Sequence, residues 1–455
     1  MIPGNASADG NLRHCRLPRY AASGPATLRL SQPGPARRTL RQTDAGHVCK
    51  NATHPFRKHR PTMEPKTFDR RVVAIDLMRG LIMVLMALDH TRDYFSRADF
   101  DPLDLQRTDA ALFLTRWITH YCAPLFVLLS GTSSYLSLSR NGDARAQARL
   151  LLTRGALLIV LDLTLVRWTG WNFSLDMGRI RVGVLWAIGW SMVFLGSLLR
   201  LRLKTLGGAG LILIAGHNLL DGLRPEHFGG WGWLWQILHA GGGFDYAGGR
   251  RFIASYPLIP WIGVMAAGFA CGPLFLQEPV RRRQTLLHAG MALTTGFVLL
   301  RLGNLYGDAA HWSAQPSDLY TLLSFLKCTK YPPSLHYLLM TLGPGLMLLA
   351  ALDRPVPQWL RPLNVFGQVP LFFYLLHLPL IHALAALMDY GRYGHAEWQF
   401  GWPFAEPGLA HPSDQGFGLP IVYLAAAFVA FCLYLPCRWF AGLKRTSRNP
   451  WVRLL

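Results

Sequence analysis

Ionisable side chains gather in one apolar stretch early in this chain, where they are costly and therefore informative. It reads Ile75-Asp76-Leu77-Met78-Arg79-Gly80, runs on without charge, and ends Leu88-Asp89-His90-Thr91-Arg92-Asp93. Arg79 and His90 are eleven residues apart. At 100° per residue on a helix, that spacing returns them to within about 20° of one face and separates them by about 16 Å along the axis. One face thus offers a guanidinium at one end and an imidazole, able to act as base, acid or nucleophile, at the other. Asp76, three residues before Arg79, is placed to pair with it. The same pair reads equally well as a salt bridge fixing the helix end. Asp89, Arg92 and Asp93 surround His90, although Asp89, as its immediate neighbour, does not face it on a helix.

Four more histidines, His120, His336, His377 and His382, fall with His90 in the same halves of their apolar stretches. Together they make a candidate reaction centre, while any one of them alone reads as a hydrogen bond between helices. Two proline-containing strings, Tyr256-Pro-Leu-Ile-Pro-Trp and Lys330-Tyr331-Pro-Pro-Ser-Leu-His336, reorient helix starts and stiffen the adjoining loops. Lys330 and Tyr331 would then face a cavity where a cation binds an anionic or oxyanionic group; a lysine snorkelling to the interface is the bland alternative. No HxxxH or Cys/His spacing suggests a metal. His217 and Asp221, at i,i+4, form only a weak pair at a helix end, so no metal is expected. The seven cysteines lack a CxxC and read as small hydrophobes.

The elements that must position these groups are membrane helices. Hydrophobic residues make up 51% of the 455-residue chain and charged ones only 16%, well below the quarter usual in soluble domains. Ten stretches approach the roughly 20 apolar residues that cross a bilayer: 72–94, 112–138, 149–168, 182–200, 205–222, 254–276, 284–302, 332–352, 364–388 and 418–442. Arg and Lys concentrate in the short connections on one side. Acids gather in four long loops on the other (95–111, 223–253, 303–331 and 389–417), rich in Trp, Tyr, Gly and Pro. The positive-inside rule then predicts an all-α, polytopic helix bundle of about ten transmembrane helices with both termini cytoplasmic. The segment 230–240, Gly-Trp-Gly-Trp-Leu-Trp-Gln-Ile-Leu-His-Ala, is too short to span and reads as an interfacial aromatic helix. No internal repeat is visible, which weakens an inverted-repeat transporter reading.

The net charge of +21 divides unevenly. Residues 1–62 hold eleven Lys/Arg against Asp9 and Asp44, a net of +9, which leaves +12 for the remainder. With many Pro, Gly, Ser and Arg and no apolar core, 1–62 reads as a disordered basic leader or a gene-model artefact, Met63 being an alternative start. Residues 63–455 form the membrane domain. The basic residues beyond the leader lie between apolar runs, so the charge records topology and no nucleic-acid partner is expected.

As a set, several strings resemble the bacterial branch of the heparan-alpha-glucosaminide N-acetyltransferase catalytic-domain family. They are Ile75-Asp-Leu-Met-Arg-Gly through Asp89-His90, Ala123-Pro-Leu-Phe-Val-Leu-Leu-Ser-Gly131, Tyr256-Pro-Leu-Ile-Pro-Trp-Ile-Gly, Arg301-Leu-Gly-Asn-Leu-Tyr-Gly-Asp308, Lys330-Tyr-Pro-Pro-Ser-Leu and Phe366-Gly-Gln-Val-Pro-Leu-Phe-Phe-Tyr-Leu-Leu-His377. The likeness spans about residues 70–455. It implies a multi-pass enzyme of the bacterial inner membrane that carries an acetyl or other acyl group from cytosolic acyl-CoA to an amino sugar or glycan hydroxyl on the periplasmic side. No cofactor is bound permanently; acetyl-CoA or another acyl-CoA is the donor substrate, the bilayer is the solvent, and a homodimer is among the assemblies open to it. The lysosomal member uses an Asn in the first helix, where His90 aligns here, and a His in the loop that follows. Residues 91–111 contain no histidine, so that catalytic His is not carried over. His90, Asp89, His120 and His377 are the catalytic candidates, Arg79 and Asp76 the donor-binding ones, and Lys330, Tyr331 and His336 the substrate-binding ones. The alternative is a proton-coupled transporter or exporter of an envelope precursor, working through the same Asp, Arg and His groups.

Overall fold

The computed structural model describes residues 72–173, 178–355, 357–400, 412–449 and 451–452. The predicted leader, 1–62, and the alternative start Met63 lie outside them. Helices dominate: α1 (Val73–Phe95), α2 (Ala110–Ile118), α3 (Cys122–Asn141), α4 (Ala144–Leu161), α5 (Val184–Leu198), α6 (Leu203–Gly216), α7 (Gly232–Trp235), α8 (Leu258–Ala270), α9 (Pro279–Gly303), α10 (Asp318–Leu326), α11 (Leu335–Leu352), α12 (Arg361–Gln368), α13 (Pro370–Tyr393) and α14 (Leu419–Thr446). Every one of the ten apolar stretches is helical, several with a break. The second, for instance, runs as α2 and α3 joined by a single 3₁₀ turn at Thr119–Tyr121.

Among the described residues, seven helical segments are long and apolar enough to cross a membrane. Three stretches fall outside that set. Helix α1 carries Asp76, Arg79, Asp89, Arg92 and Asp93, and α4 carries Arg145, Arg149 and Arg154. Helix α5 is apolar but only 15 residues long. Asp76, Asp89 and Arg92 of α1 are buried among neighbouring helices and Arg154 of α4 lines an internal cavity, while Arg145 and Arg149 are exposed.

The all-α expectation needs one correction. Strands β1 (Arg179–Val182), β2 (Gly242–Tyr246) and β3 (Arg250–Ala254) form a small sheet in the order β1-β3-β2, with β1 parallel and β2 antiparallel to β3. The β2–β3 hairpin turns through Ala247–Gly249, where Gly248 and Gly249 take φ of 75° and 71°, a region that glycine enters without steric cost. Val182 and Ala254 anchor the sheet on Trp186 and Leu258. Strands of four or five residues, β1 ahead of α5 and the β2–β3 hairpin at the end of a long aromatic loop, carry too little alternation to be read from sequence. The aromatic segment 230–240 is helical as predicted, as α7 followed by a helical turn over Gln236–Ala240.

Small residues bring the helices that matter into backbone contact. A Cβ on Gly80 would fall 1.8 Å from the Leu363 carbonyl oxygen, and one on Gly367 would fall 1.7 Å from that of Asp76. Helices α1 and α12 therefore touch along the turn that bears Asp76 and Arg79. Gly131 and Gly268 do the same for α3 and α8, where an added Cβ on either would fall 2.1 Å from a carbonyl oxygen of the other helix. Close approach through glycine is the usual route to helix association where the surroundings are as apolar as the side chains.

A Gly80→Ala substitution should therefore lower stability by about 1–3 kcal/mol through overpacking, seen as a lower midpoint in thermal unfolding of the detergent-solubilised protein. Gly208→Ala, on a helix face with nothing within 4 Å, should leave the midpoint unchanged or raise it.

Candidate active site

Two polar regions follow α1 from one end to the other. At the Arg79 end a cavity of about 580 Å³ opens among α1, α3, α4, α5, α13 and α14. Arg79 is held inside it from two sides. One guanidinium nitrogen donates to the Leu129 carbonyl oxygen at 3.1 Å and to the Ser133 hydroxyl, while the other lies 3.9 Å from Asp76. Arg140, Arg154, Lys444 and Arg445 also line this space, so five basic side chains face it with one carboxylate. The opposite lining is apolar and reaches Met86 on α1 and Tyr374 on α13. Ser130, Ser133, Ser134 and Ser137 form a polar stripe along α3, at helical spacing, on the cavity wall.

One helical turn past Met86 lies the second region. Asp89 accepts both oxygens' worth of hydrogen bonds from Arg116 Nη1 (2.7 and 2.9 Å) and a third bond from Thr119 Oγ1 (2.8 Å), and it pairs with Arg92 at 3.0 Å. Its carboxylate ties α1 to α2 and to the 3₁₀ turn. Asp93 accepts from Arg92 and lies 3.6 Å from His90 Nδ1. The carboxylate nearest His90 is thus Asp93, one turn on, and Asp89 spends its lone pairs on arginines, as the geometry of adjacent helical residues requires.

The five histidines separate into distinct environments. His90 and His377 face each other with ring centroids 5.3 Å apart. His377 is fully buried, its Nδ1 bonded to the Tyr374 carbonyl oxygen at 2.6 Å while its Nε2 has no hydrogen-bond partner. Tyr374, which lines the cavity, packs on His377 with ring centroids 5.2 Å apart. His120 follows Thr119, is buried against Tyr337 with centroids 5.4 Å apart, and has neither ring nitrogen hydrogen-bonded. Tyr337 donates to the His120 carbonyl oxygen. His382 lies between the stacked rings of Tyr94 and Phe173 and bonds the Gln399 carbonyl oxygen, which is a structural setting. His336 lies beside Arg301, 3.5 Å from its guanidinium.

Lys330 and Tyr331 belong to the Asp89 neighbourhood. Lys330 is buried and acts electrostatically on Asp89 and on His120. Its ammonium lies 5.3 Å from the Tyr331 ring, and the Tyr331 hydroxyl is 3.3 Å from that of Tyr256. The two proline-containing strings therefore meet at one place. The loop behind them is built by Arg301 and Asp308. Arg301 donates to the carbonyl oxygens of Ala310, Ser324, Phe325 and Lys327. Asp308 accepts from Ala310, Thr329 and Ser334.

Sequence reasoning missed Arg116 and Thr119 as partners of Asp89, and it counted Arg140, Lys444 and Arg445 only as topological charges. The serine period on α3 was readable from spacing; the convergence of α4 and α14 on Arg79 was not, because it is set by helix packing.

A polytopic helical protein whose first helix carries a basic cavity at one end and paired imidazoles at the other has the layout of an integral-membrane enzyme. The family described as Heparan-alpha-glucosaminide N-acetyltransferase, catalytic, matches residues 71–304, just over half the chain, and the protein belongs to that family. Membership points to membrane acetyltransferase activity in general. No curated protein matches the chain. The matched stretch holds α1 through α9, hence Arg79 and His90, while Lys330, Tyr331, His336 and His377 lie beyond it.

Because Asp89 neutralises two arginines inside the bundle, Asp89→Asn should cost about 3–5 kcal/mol by leaving buried cations uncompensated. The midpoint of thermal unfolding should fall sharply in that variant, with a clearly smaller fall in Thr119→Ala, which removes one neutral donor.

Proposed function

We propose that the protein transfers an acetyl or related acyl group from acyl-CoA to a sugar amine or glycan hydroxyl, with donor and acceptor approaching α1 from opposite ends. The observation that carries this reading is the cavity that begins among Arg79, Arg140, Arg154, Lys444 and Arg445 and ends at Met86 and Tyr374. A cluster of guanidinium and ammonium groups suits the phosphates of CoA, with the planar Arg79 fork held in place by Ser133 and Leu129. Asp76 orients Arg79. The apolar part of the lining, which includes Met86 and Tyr374, suits the pantetheine arm, which would run along α1 and bring the thioester to His90 and His377.

There the acceptor's nitrogen or oxygen attacks the thioester carbonyl. His90, backed by Asp93, takes the acceptor's proton as the new C–N or C–O bond forms. As the C–S bond breaks, the electron pair leaves on sulfur and the proton returns to it, releasing CoA as the thiol. His377 lies within ring contact of His90 and shares this proton traffic. Lys330 and His120 supply charge or a hydrogen bond to the developing oxyanion. Tyr331 and His336 border the acceptor's approach. Asp89 is a positioning residue in this scheme, fixing the turn that carries His90.

The sidedness follows from the charge asymmetry of the loops. The Arg79 end faces the cytosol, where acyl-CoA is available, and the His90 end faces the periplasm of a bacterium whose inner membrane holds the protein. Proton-coupled transport is the weaker reading, since family membership favours acetyl transfer and the polar groups of α1 are engaged in fixed pairs.

Membranes containing the His90→Ala variant, given labelled acetyl-CoA and amino-sugar acceptors, should transfer label at least about 100-fold more slowly than wild type. Arg79→Gln should instead raise KM for acetyl-CoA with a smaller change in kcat. Unchanged transfer by His90→Ala would remove that imidazole from the chemistry, and pH-gradient-driven solute movement without CoA release would replace acyl transfer with transport.

A further inference from the structure

Away from the cavity and from His90, a second group of metal-ligating side chains converges. His217 and Asp221 lie at the C-terminal end of α6, and His239 comes from the helical turn after α7. One ligand atom from each lies within 4.8 Å of those of the other two. His217 and His239 are each only 2% exposed, yet neither nitrogen of His217 nor Nδ1 of His239 has a hydrogen-bond partner. A buried imidazole with both nitrogens unmatched is costly unless another group completes it.

The remaining geometry is that of a prepared ligand set. His239 Nε2 is 3.2 Å from Asp221 Oδ1, close to the roughly 3.4 Å that separates two ligands each about 2.1 Å from a tetrahedral ion. Asn218 Nδ2 donates to the other Asp221 oxygen at 2.8 Å, while Asn218 Oδ1 accepts from the Leu335 amide at 2.9 Å. The carboxylate is thereby aimed by a residue that is itself tied to the start of α11, in the manner of outer-shell support at metal sites. Trp235 packs on His239 with centroids 5.0 Å apart and donates its indole N–H to the Leu223 carbonyl oxygen, which fixes the loop that delivers His239.

We propose that His217, Asp221 and His239 bind one divalent transition-metal ion, with Zn²⁺ the best match to two imidazoles and a carboxylate, and water in the fourth position. The ion would staple the aromatic loop 221–240 to the end of α6. The i,i+4 pair read from sequence supplies two of the three ligands; the third is 18 residues beyond Asp221 and could not be assigned by spacing.

The test uses the full chain in detergent, purified through a tag that contains no histidine, stripped with chelator and dialysed against Zn²⁺. Elemental analysis should find about one zinc per chain, and Co²⁺ loading should give the intense visible absorption of a tetrahedral site. His217→Ala and His239→Ala should each weaken binding by at least about tenfold, and Asn218→Ala by a comparable or smaller factor. His395→Ala, an exposed histidine elsewhere, should bind as wild type. Size-exclusion profiles matching wild type separate lost ligation from lost folding. Failure of the wild-type chain to retain stoichiometric metal, or unchanged retention in both histidine variants, overturns the proposal.

Discussion

A carboxylate inside an apolar bundle must find its counter-charges inside the bundle as well, and Asp89 is where this protein meets that demand. Its two oxygens gather Arg116, Arg92 and Thr119. Each partner arrives from a different direction, so one neutralisation fixes the end of α1, the helix α2 and the 3₁₀ turn that redirects the chain into α3. The position of His90 and His120 follows, because both are immediate neighbours of residues in that network. Burial makes the arrangement stringent. Water cannot substitute for a missing partner, so the network is present as a whole or costs several kcal/mol.

The other end of α1 is set by a different constraint, backbone contact through glycine. Gly80 and Gly367 let α1 and α12 meet carbonyl to Cα beside Asp76 and Arg79, which holds the Arg79 side chain against α3 and leaves room between α4, α5, α13 and α14. The cavity is what remains when α1 is pinned at both ends and its neighbours cannot close over the charged groups between them. Helix α1 is accordingly too charged to resemble an ordinary lipid-facing span. Its polar atoms face protein and cavity, which is where ionisable groups at membrane depth are tolerated.

Much of this was legible in the sequence, for identifiable reasons. The stretches that hydropathy picked out are helical, and seven of the described helical segments are long and apolar enough to cross a membrane, where backbone satisfaction leaves little alternative to helix. The spacing of Arg79 and His90 placed them on one face, and the two ends of α1 are indeed where the cavity cations and the facing imidazoles lie. The prolines after Tyr256 and Tyr331 marked two loops that meet at a tyrosine pair. Other features depend on packing between distant segments and were not readable. The partner of Asp89 is Arg116, 27 residues away; the sheet joins strands some 70 residues apart in register. Five similar-looking histidines take separate environments only once α13 and α11 are in place, with His382 clamped between rings and His377 turned toward His90. The carboxylate beside His90 is Asp93, a turn away, in keeping with the helical geometry that turns the adjacent Asp89 from it.

The central claim is that the space between the basic cluster and the His90–His377 pair receives an acyl-CoA. A structure of the protein with a non-transferable acetyl-CoA analogue, in which the thioester sulfur is replaced by a methylene, tests it most directly. The expected result is the phosphates among Arg79, Arg140, Arg154, Lys444 and Arg445, the arm along α1 past Met86, and the carbonyl beside His90 and His377. An analogue that binds elsewhere, or a cavity that stays empty at saturating analogue while the protein remains folded, would contradict it.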